Sequence, residues 1–350
     1  MQASLVARRA RLEPLLASAR SLREANSPRG QQARERLIRS TGLSAQGVEF
    51  ALARCLEATP SEAEITALLL ATPESNTAHV LLSANVFVAA HRAIAIGLAS
   101  SANVQVRASR REPEFAELLW SGAPHSFELK AELSPRAGDH LWAYGSDQTL
   151  HEVAKALPSG VTLHGHGSGI GLAVLEGEPD APELTRIVRG LAEDTVLFDQ
   201  RGCLSPRAVL VRGSAEFSRR FAERLAGELG RLEQQIPRGQ LDPTEAAAST
   251  AYRDAAAYAG DLFEAGRGFV SYAENGQFQV PPVGRHLHVS CVPELGASLS
   301  ELSPLITCVA FAGSARTAEQ LQNQLPGARF SDFGRMQCPP FDGPVDRRAR

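Results

Sequence analysis

The stretch HVLLSANVFVAAHRAIAIGLASSANVQVRAS, residues 79–109, carries the pattern on which the fold reading turns. HVLLSANVFV is apolar enough for a buried strand that runs into a loop. AAHRAIAIGLASS has helical spacing, and NVQVRAS again reads as a strand. The alternation continues with a helix from Pro113 to Trp120, LWAYGS as strand, DQTLHEVAKAL as helix, VTLHGHG as strand and turn, and GLAVLE as strand. Strands separated by helices pair in parallel, so the pattern implies an α/β fold with a largely parallel sheet covered on both faces. Upstream, residues 1–70 are rich in Ala, Leu, Arg and Glu and have helical spacing. Ser61 followed by Glu64 has the form of a capping box.

A Glu-Pro-Asp-Ala-Pro break at 178–182 is the expected boundary between two units. Beyond it the sequence predicts a helix (ELTRIVRGLAEDTVLF), a strand (RAVLVRG), an amphipathic helix from Ser214 to Ile236 and an Ala-rich helix from Pro243 to Tyr258. GRHLHVSCV and PLITCVAFAG read as strands of a second sheet. At 350 residues the chain can bury two cores. With 36 Lys+Arg against 39 Asp+Glu, the net charge of −3 gives no pull toward nucleic acid or an anionic membrane. Aromatic residues at 6% are too sparse for base-stacking platforms. No run of 18 apolar residues occurs, so no integral membrane segment is expected, and the N-terminal residues read as an amphipathic helix rather than a leader.

Between two of these predicted elements lies FDQRGCLSPR, residues 198–207. Cys203 follows a Gln-Arg-Gly turn and precedes a Ser-Pro pair that stops a helix. A thiol attacks only as thiolate, so a nucleophilic cysteine needs nearby donors or positive charge. Arg201 and Arg207 offer the charge, and Gln200 offers a hydrogen bond to whatever the sulfur attacks. The bland alternative is a small buried residue at a strand end. The other cysteines, Cys55, Cys291, Cys308 and Cys338, form no CxxC pair or Cys/His cluster, so no metal site is expected and a structural role is assigned to each. Five dispersed cysteines fit a reducing, cytoplasmic setting.

LHGHGSGIGLAV, residues 163–174, has alternating glycines but lacks the GxGxxG register and leads into a strand rather than a helix. YGSDQTLHEV is the better phosphate candidate, because Gly145 and Ser146 end a strand and Asp147 is placed to cap the helix that follows.

The order of these motifs resembles the LuxC-like acyl-CoA reductase family of the aldehyde dehydrogenase superfamily. FDQRGCLSPR matches its cysteine motif, SANVFVAAHRAIAIGL the segment with the oxyanion asparagine, AYGSDQTLHEV the glycine-serine turn, and DFGRMQCPPFDGPVDRR the closing segment. The resemblance implies two Rossmann-like parallel-sheet domains behind an N-terminal helical segment. It places that segment at 1–75, an NAD(P)-binding domain at 76–178, a catalytic domain at 179–328 and a tail returning to the first domain at 329–350. It implies Cys203 as nucleophile, Asn85 as oxyanion donor, and Arg107, Ser109, Arg110, Gly145 and Ser146 at the cofactor. The expected reaction reduces a fatty acyl-CoA, long-chain by the resemblance, to the aldehyde through an S-acyl cysteine. Implied partners are a second copy of the chain and acyltransferase or synthetase subunits.

Two departures sharpen this expectation. The superfamily's glutamate base is replaced by His164-Gly165-His166-Gly167-Ser168, so a residue that would hydrolyse the acyl-enzyme is missing, and His164 or His166 is left as an acid/base candidate. The basic run Arg107-Ala108-Ser109-Arg110-Arg111 stands where a carboxylate would favour NADH, so NADPH is expected in preference. Alternatives are the same scaffold acting on an acyl carrier protein or an acyl phosphate, as reductase or acyltransferase, and a silent homologue serving as a complex subunit.

Overall fold

Side-chain caps define most helix starts in the computed structural model, which describes residues 2–274 and 280–348. Four helices open the chain: α1 (Gln2–Arg23), α2 (Pro28–Thr41), α3 (Ala45–Cys55) and α4 (Glu62–Ala71). Ser27, Ser44 and Ser61 cap the last three, and Ser61 with Glu64 forms the expected capping box. Then come β1 (Ala78–Leu81), α5 (Ala89–Ser100), β2 (Val104–Arg107), α6 (Glu114–Gly122), β3 (Glu128–Leu129), β4 (His140–Tyr144), α7 (Asp147–Ala156) and β5 (Thr162–His166). Their strands form one parallel sheet in the order β3-β2-β1-β4-β5. The order reverses between β1 and β4, and in such sheets the crevice beyond the strand C-termini at that point is the ligand site.

α5 lies against this sheet and under α1 and α4, so every residue from Ala90 to Ser100 is buried. A helix enclosed on all sides must be apolar all round. Arg92 and His91 are the exceptions in this one. Arg8 of α1 ties the layer together, donating to the carbonyls of Ala99 (2.6 Å), Leu69 (2.8 Å) and Thr72 (2.7 Å). These are C-terminal carbonyls of α5 and α4, which a helix leaves without internal partners.

The second sheet begins with β6 (Ile170–Glu176) and continues through α8 (Ala181–Val196), a short 3-10 turn at Leu197–Gln200, β7 (Pro206–Arg212), α9 (Ala215–Gln235) and α10 (Pro243–Ala259). β8 (Asp261–Ala265), β9 (Gly268–Ala273), β10 (His286–Cys291), α11 (Leu295–Leu302), β11 (Ile306–Ala312), α12 (Ala315–Gln324) and β12 (Arg329–Ser331) complete it. Its strand order is β12-β11-β6-β7-β10-β9-β8, with β8 alone antiparallel to its neighbour. The predicted strand GLAVLE is therefore not a further strand of the first sheet. As β6 it pairs with β11 and β7, so the chain changes sheet at residues 167–169, upstream of the Pro-containing break at 178–182. That break instead starts α8, capped by Asp180. The hairpin β8–β9 and the short strands β3 and β12 were not anticipated.

The tail recrosses the molecule. Arg92 donates to the carbonyls of Pro339 (2.8 Å), Pro340 (2.7 Å) and Gly343 (2.9 Å), and Phe341 stacks on His91 at 5.4 Å.

Candidate active site

Three consecutive non-glycine residues before Cys203 have left-handed backbone: Phe198 (φ 55°), Asp199 (φ 50°) and Gln200 (φ 68°). Each costs about 1–2 kcal/mol for an L-residue, so surrounding contacts must hold the turn. The buried Asp199 carboxylate pairs with Arg285 (2.7 Å) and accepts from the Gly239 amide (2.9 Å). Phe198 meets Phe87 edge-on at 5.7 Å. Gln200 donates to the carbonyls of Pro206 (2.7 Å) and His286 (2.5 Å) and accepts from the His286 amide (2.8 Å). Gln200 is thus spent on the scaffold, and the expectation that it reaches toward the attacked group is corrected. Arg201 is likewise engaged by Glu245 at 2.8 Å. Arg207 has no carboxylate at ion-pair distance among the described residues and donates to the Pro281 carbonyl at 2.6 Å. Burial pushes its pKa down to about 10, which leaves it cationic at neutral pH.

The cysteine turn closes against the N-terminal ends of β6, β7 and β11. The Gly171 amide donates to the Ser205 carbonyl (2.7 Å), and the Thr307 hydroxyl donates to the Cys203 carbonyl. From the tail, Gln337 donates to the Ser205 hydroxyl. A Cβ on Gly202 would sit 2.9 Å from the Gln337 side-chain oxygen, so a larger residue here would push Gln337 off its Ser205 hydrogen bond. Cys203 itself is half-buried.

Cys203 faces a cleft of about 940 Å³ whose other wall is the C-terminal edge of the first sheet. Asn85 follows β1, Arg107, Ser109 and Arg110 lie at the end of β2, Gly145 and Ser146 follow β4, and His166 ends β5; all line this cleft with Cys203. The Asn85 side-chain oxygen accepts from Arg111 at 3.1 Å, which turns its amide donor away from Arg111. Among the described residues, no hydrogen bond or ion pair engages the side chains of Arg107 and Arg110. Ser146, not Asp147, caps α7, accepting from the Thr149 amide at 3.2 Å. Asp147 instead accepts from the Ser168 amide at 3.0 Å and joins α7 to the crossing between the sheets.

The two histidine candidates separate. His166 stacks on Tyr144 at 4.7 Å within the cleft. His164 lies two residues back on the same strand, stacked on Trp142 at 4.6 Å and 3.1 Å from His140, and does not line the cleft. Burial, then the neighbouring His140 and His166, lower its pKa to about 4.

Sequence reasoning missed Tyr144, Arg92, Glu57 and Gln337, and it read Arg111 only within the basic run, not as the partner of Asn85. Burial pushes the Tyr144 phenol up, so it stays a hydrogen-bond donor. Arg92 and Glu57 form a buried ion pair in the cleft wall, in which burial holds the Glu57 carboxyl above its usual pKa although Arg92 opposes it. An arginine inside the otherwise apolar α5 was a signal that could have been read. Two of the four cysteines assigned structural roles meet: Cys55 and Cys338 stand 3.4 Å apart, sulfur to sulfur. Among the described residues no group of three or more His, Cys, Asp or Glu side chains could hold a metal ion. Nor is any described helix long and apolar enough to cross a membrane.

The acyl-CoA reductase (LuxC) family model matches residues 123–343. No curated protein matches the chain. Solved structures share the fold at low identity. An oxidoreductase from Marinobacter aquaeolei superposes with a TM-score of 0.74 at 12% identity, over 94% of this chain and 78% of that one. Lactaldehyde dehydrogenase from Escherichia coli gives 0.68 at 13%, over 93% and 78%. An NAD-dependent benzaldehyde dehydrogenase from Corynebacterium glutamicum gives 0.68 at 13%, over 93% and 80%. The fold is that of the aldehyde dehydrogenases.

Proposed function

Because this chain belongs to the acyl-CoA reductase (LuxC) family and is an aldehyde-forming acyl-CoA reductase, we propose that Cys203 carries the acyl group and that NADPH is the reductant. One observation carries the reading: a single cleft holds Cys203, Asn85 and two arginines whose side chains have no partner among the described residues.

The cleft fits a dinucleotide with a 2′-phosphate. It lies at the switch point of the first sheet, the α7 N-terminus suits a pyrophosphate, and Arg107 and Arg110 suit the extra phosphate. When bound, the reduced nicotinamide supplies a hydride to the acyl carbon.

The Cys203 thiolate attacks the thioester carbonyl of acyl-CoA. The carbonyl electron pair moves to oxygen, where the Asn85 amide and the Cys203 backbone N–H receive it. One such donor lowers the barrier by about 3 kcal/mol. As the carbonyl re-forms, the CoA thiolate departs and leaves the acyl group on Cys203. Arg207 supplies positive charge near the leaving thiolate. After reduction, Asn85 again holds the oxygen, and the C–S bond breaks to release aldehyde and the Cys203 thiolate. His164 stands outside the cleft and has no step here. His166, stacked on Tyr144 in the cleft, is positioned to give a proton to the departing CoA sulfur.

The acyl group is a fatty chain in this reading, the setting is the reducing cytoplasm, and a second copy of the chain is the expected partner. NADPH oxidation measured across acyl-CoAs of increasing length tests it, with acyl carrier protein and acyl phosphate donors in parallel. Turnover with the phosphate but not the thioesters would remove the CoA assignment. An NADH rate above the NADPH rate would remove the reading of the arginines.

A further inference from the structure

The contact between Cys55 and Cys338 joins residues 283 positions apart in the chain. Cys55 is the last residue of α3 and is buried; Cys338 lies in the tail and is half-buried. Their sulfurs are 3.4 Å apart, so a bond of about 2.05 Å needs a closure of only about 1.4 Å. We propose that Cys55 and Cys338 form a reversible disulfide, a modification site separate from Cys203. The reading stands independently of the acyl chemistry.

The environment divides the two roles. The Cys338 thiol is held below its usual pKa by the hydrogen bond from Cys55 and by Arg335 and Arg54, against burial and Glu57. Burial, then the Cys338 contact, pushes the Cys55 thiol well up. The accessible, more acidic thiol therefore reacts first, and the buried one resolves. With a low-molecular-weight disulfide such as oxidised glutathione, the Cys338 thiolate attacks one sulfur and expels a glutathione thiolate. Cys55 then loses its proton to solvent and attacks the Cys338 sulfur, expelling the second glutathione. Two protein thiols are oxidised and one glutathione disulfide is reduced to two thiols.

The flanks of Cys338 hold it in place. Gln337 binds Ser205 beside the Cys203 turn, and the Pro339 carbonyl is held by Arg92. Bond formation would tie α3 to the tail that walls the cleft, and because it closes a long loop it would limit the unfolded chain.

The test uses the reduced full chain equilibrated in glutathione redox buffers, then alkylated, digested and weighed by mass spectrometry. We expect a peptide pair linking Cys55 to Cys338, two hydrogens lighter than its parts, and an upward shift in thermal midpoint on oxidation. The Cys55→Ser and Cys338→Ser variants should lose both signals, whereas Cys291→Ser should keep them. Should one serine variant fail to fold, alkylation rates in the wild-type protein decide, since Cys338 and Cys55 must disappear together. Glutathione retained on Cys338 with Cys55 still alkylatable would overturn the proposal, as would a linkage no more favoured in native buffer than in urea.

Discussion

Arg111 is expected to act on catalysis only through Asn85, and a double-mutant cycle measures this. If Asn85 donates to the oxyanion, Asn85→Ala should cost about 3 kcal/mol, or roughly 100-fold in kcat. Arg111→Ala leaves the amide in place but frees it to rotate. The hydrogen bond it loses is 3.1 Å long and exposed, so the low end for a charged donor applies: about 1.4 kcal/mol, or roughly tenfold. If Arg111 serves only to orient the amide, the double variant should be no slower than Asn85→Ala alone. The coupling energy then equals the whole Arg111 effect, about 1.4 kcal/mol. The assay is steady-state NADPH oxidation at saturating acyl-CoA, with KM for NADPH recorded for each variant. A tenfold further loss on adding Arg111→Ala to Asn85→Ala would refute the reasoning. So would an Arg111→Ala effect confined to KM for NADPH, because the arginine would then belong to the cofactor.

Cys203→Ala should abolish both aldehyde formation and the mass gain on incubation with acyl-CoA, and survival of either activity removes Cys203 from its role. Arg110→Glu should lower kcat/KM for NADPH and raise the NADH-to-NADPH ratio; an unchanged ratio means the turn does not meet the 2′-phosphate. Asp199→Asn keeps shape but removes one of the two carboxylates that pair with Arg285, leaving Glu233 at 2.8 Å, and should cost about 1.5 kcal/mol of stability, read from urea unfolding. A loss below about 0.5 kcal/mol would show that the left-handed turn is not held by this pair. His91 is fully buried and its pKa is lowered to about 3, by burial and then by Arg92. The unfolded chain therefore binds the extra proton, and the stability this gives is complete above pH 6.5 and is lost as pH falls toward 3. Wild type should lose about 1.4 kcal/mol per pH unit more than His91→Leu in that window; parallel slopes would discount the effect.

Much of the fold was legible because its signals are local. The capping box of Ser61 and Glu64 and the apolar periodicity of α5 depend on residues within a turn or two of one another. The β8–β9 hairpin was not anticipated; its turn is held by Gly266, which takes the left-handed conformation (φ 66°). The assignment of GLAVLE to the first sheet failed for a different reason. A buried parallel strand reads as a plain apolar run, and nothing in that run says which neighbours it pairs with. Gln200 was misread in the same way: its polar amide looked available until the folded chain brought the His286 backbone to meet it.

The sequence alone determined the alternation of elements, most helix starts and the family, and it singled out Cys203 as the candidate nucleophile. Only the tertiary structure decided that Phe198, Asp199 and Gln200 take left-handed backbone, that Arg111 binds the Asn85 amide oxygen, that His164 lies back along β5 outside the cleft while His166 lines it, and that Cys55 meets Cys338. Periodicity and capping are written in neighbouring residues, whereas each of these four facts depends on side chains brought together from distant parts of the chain or on the packing between strands.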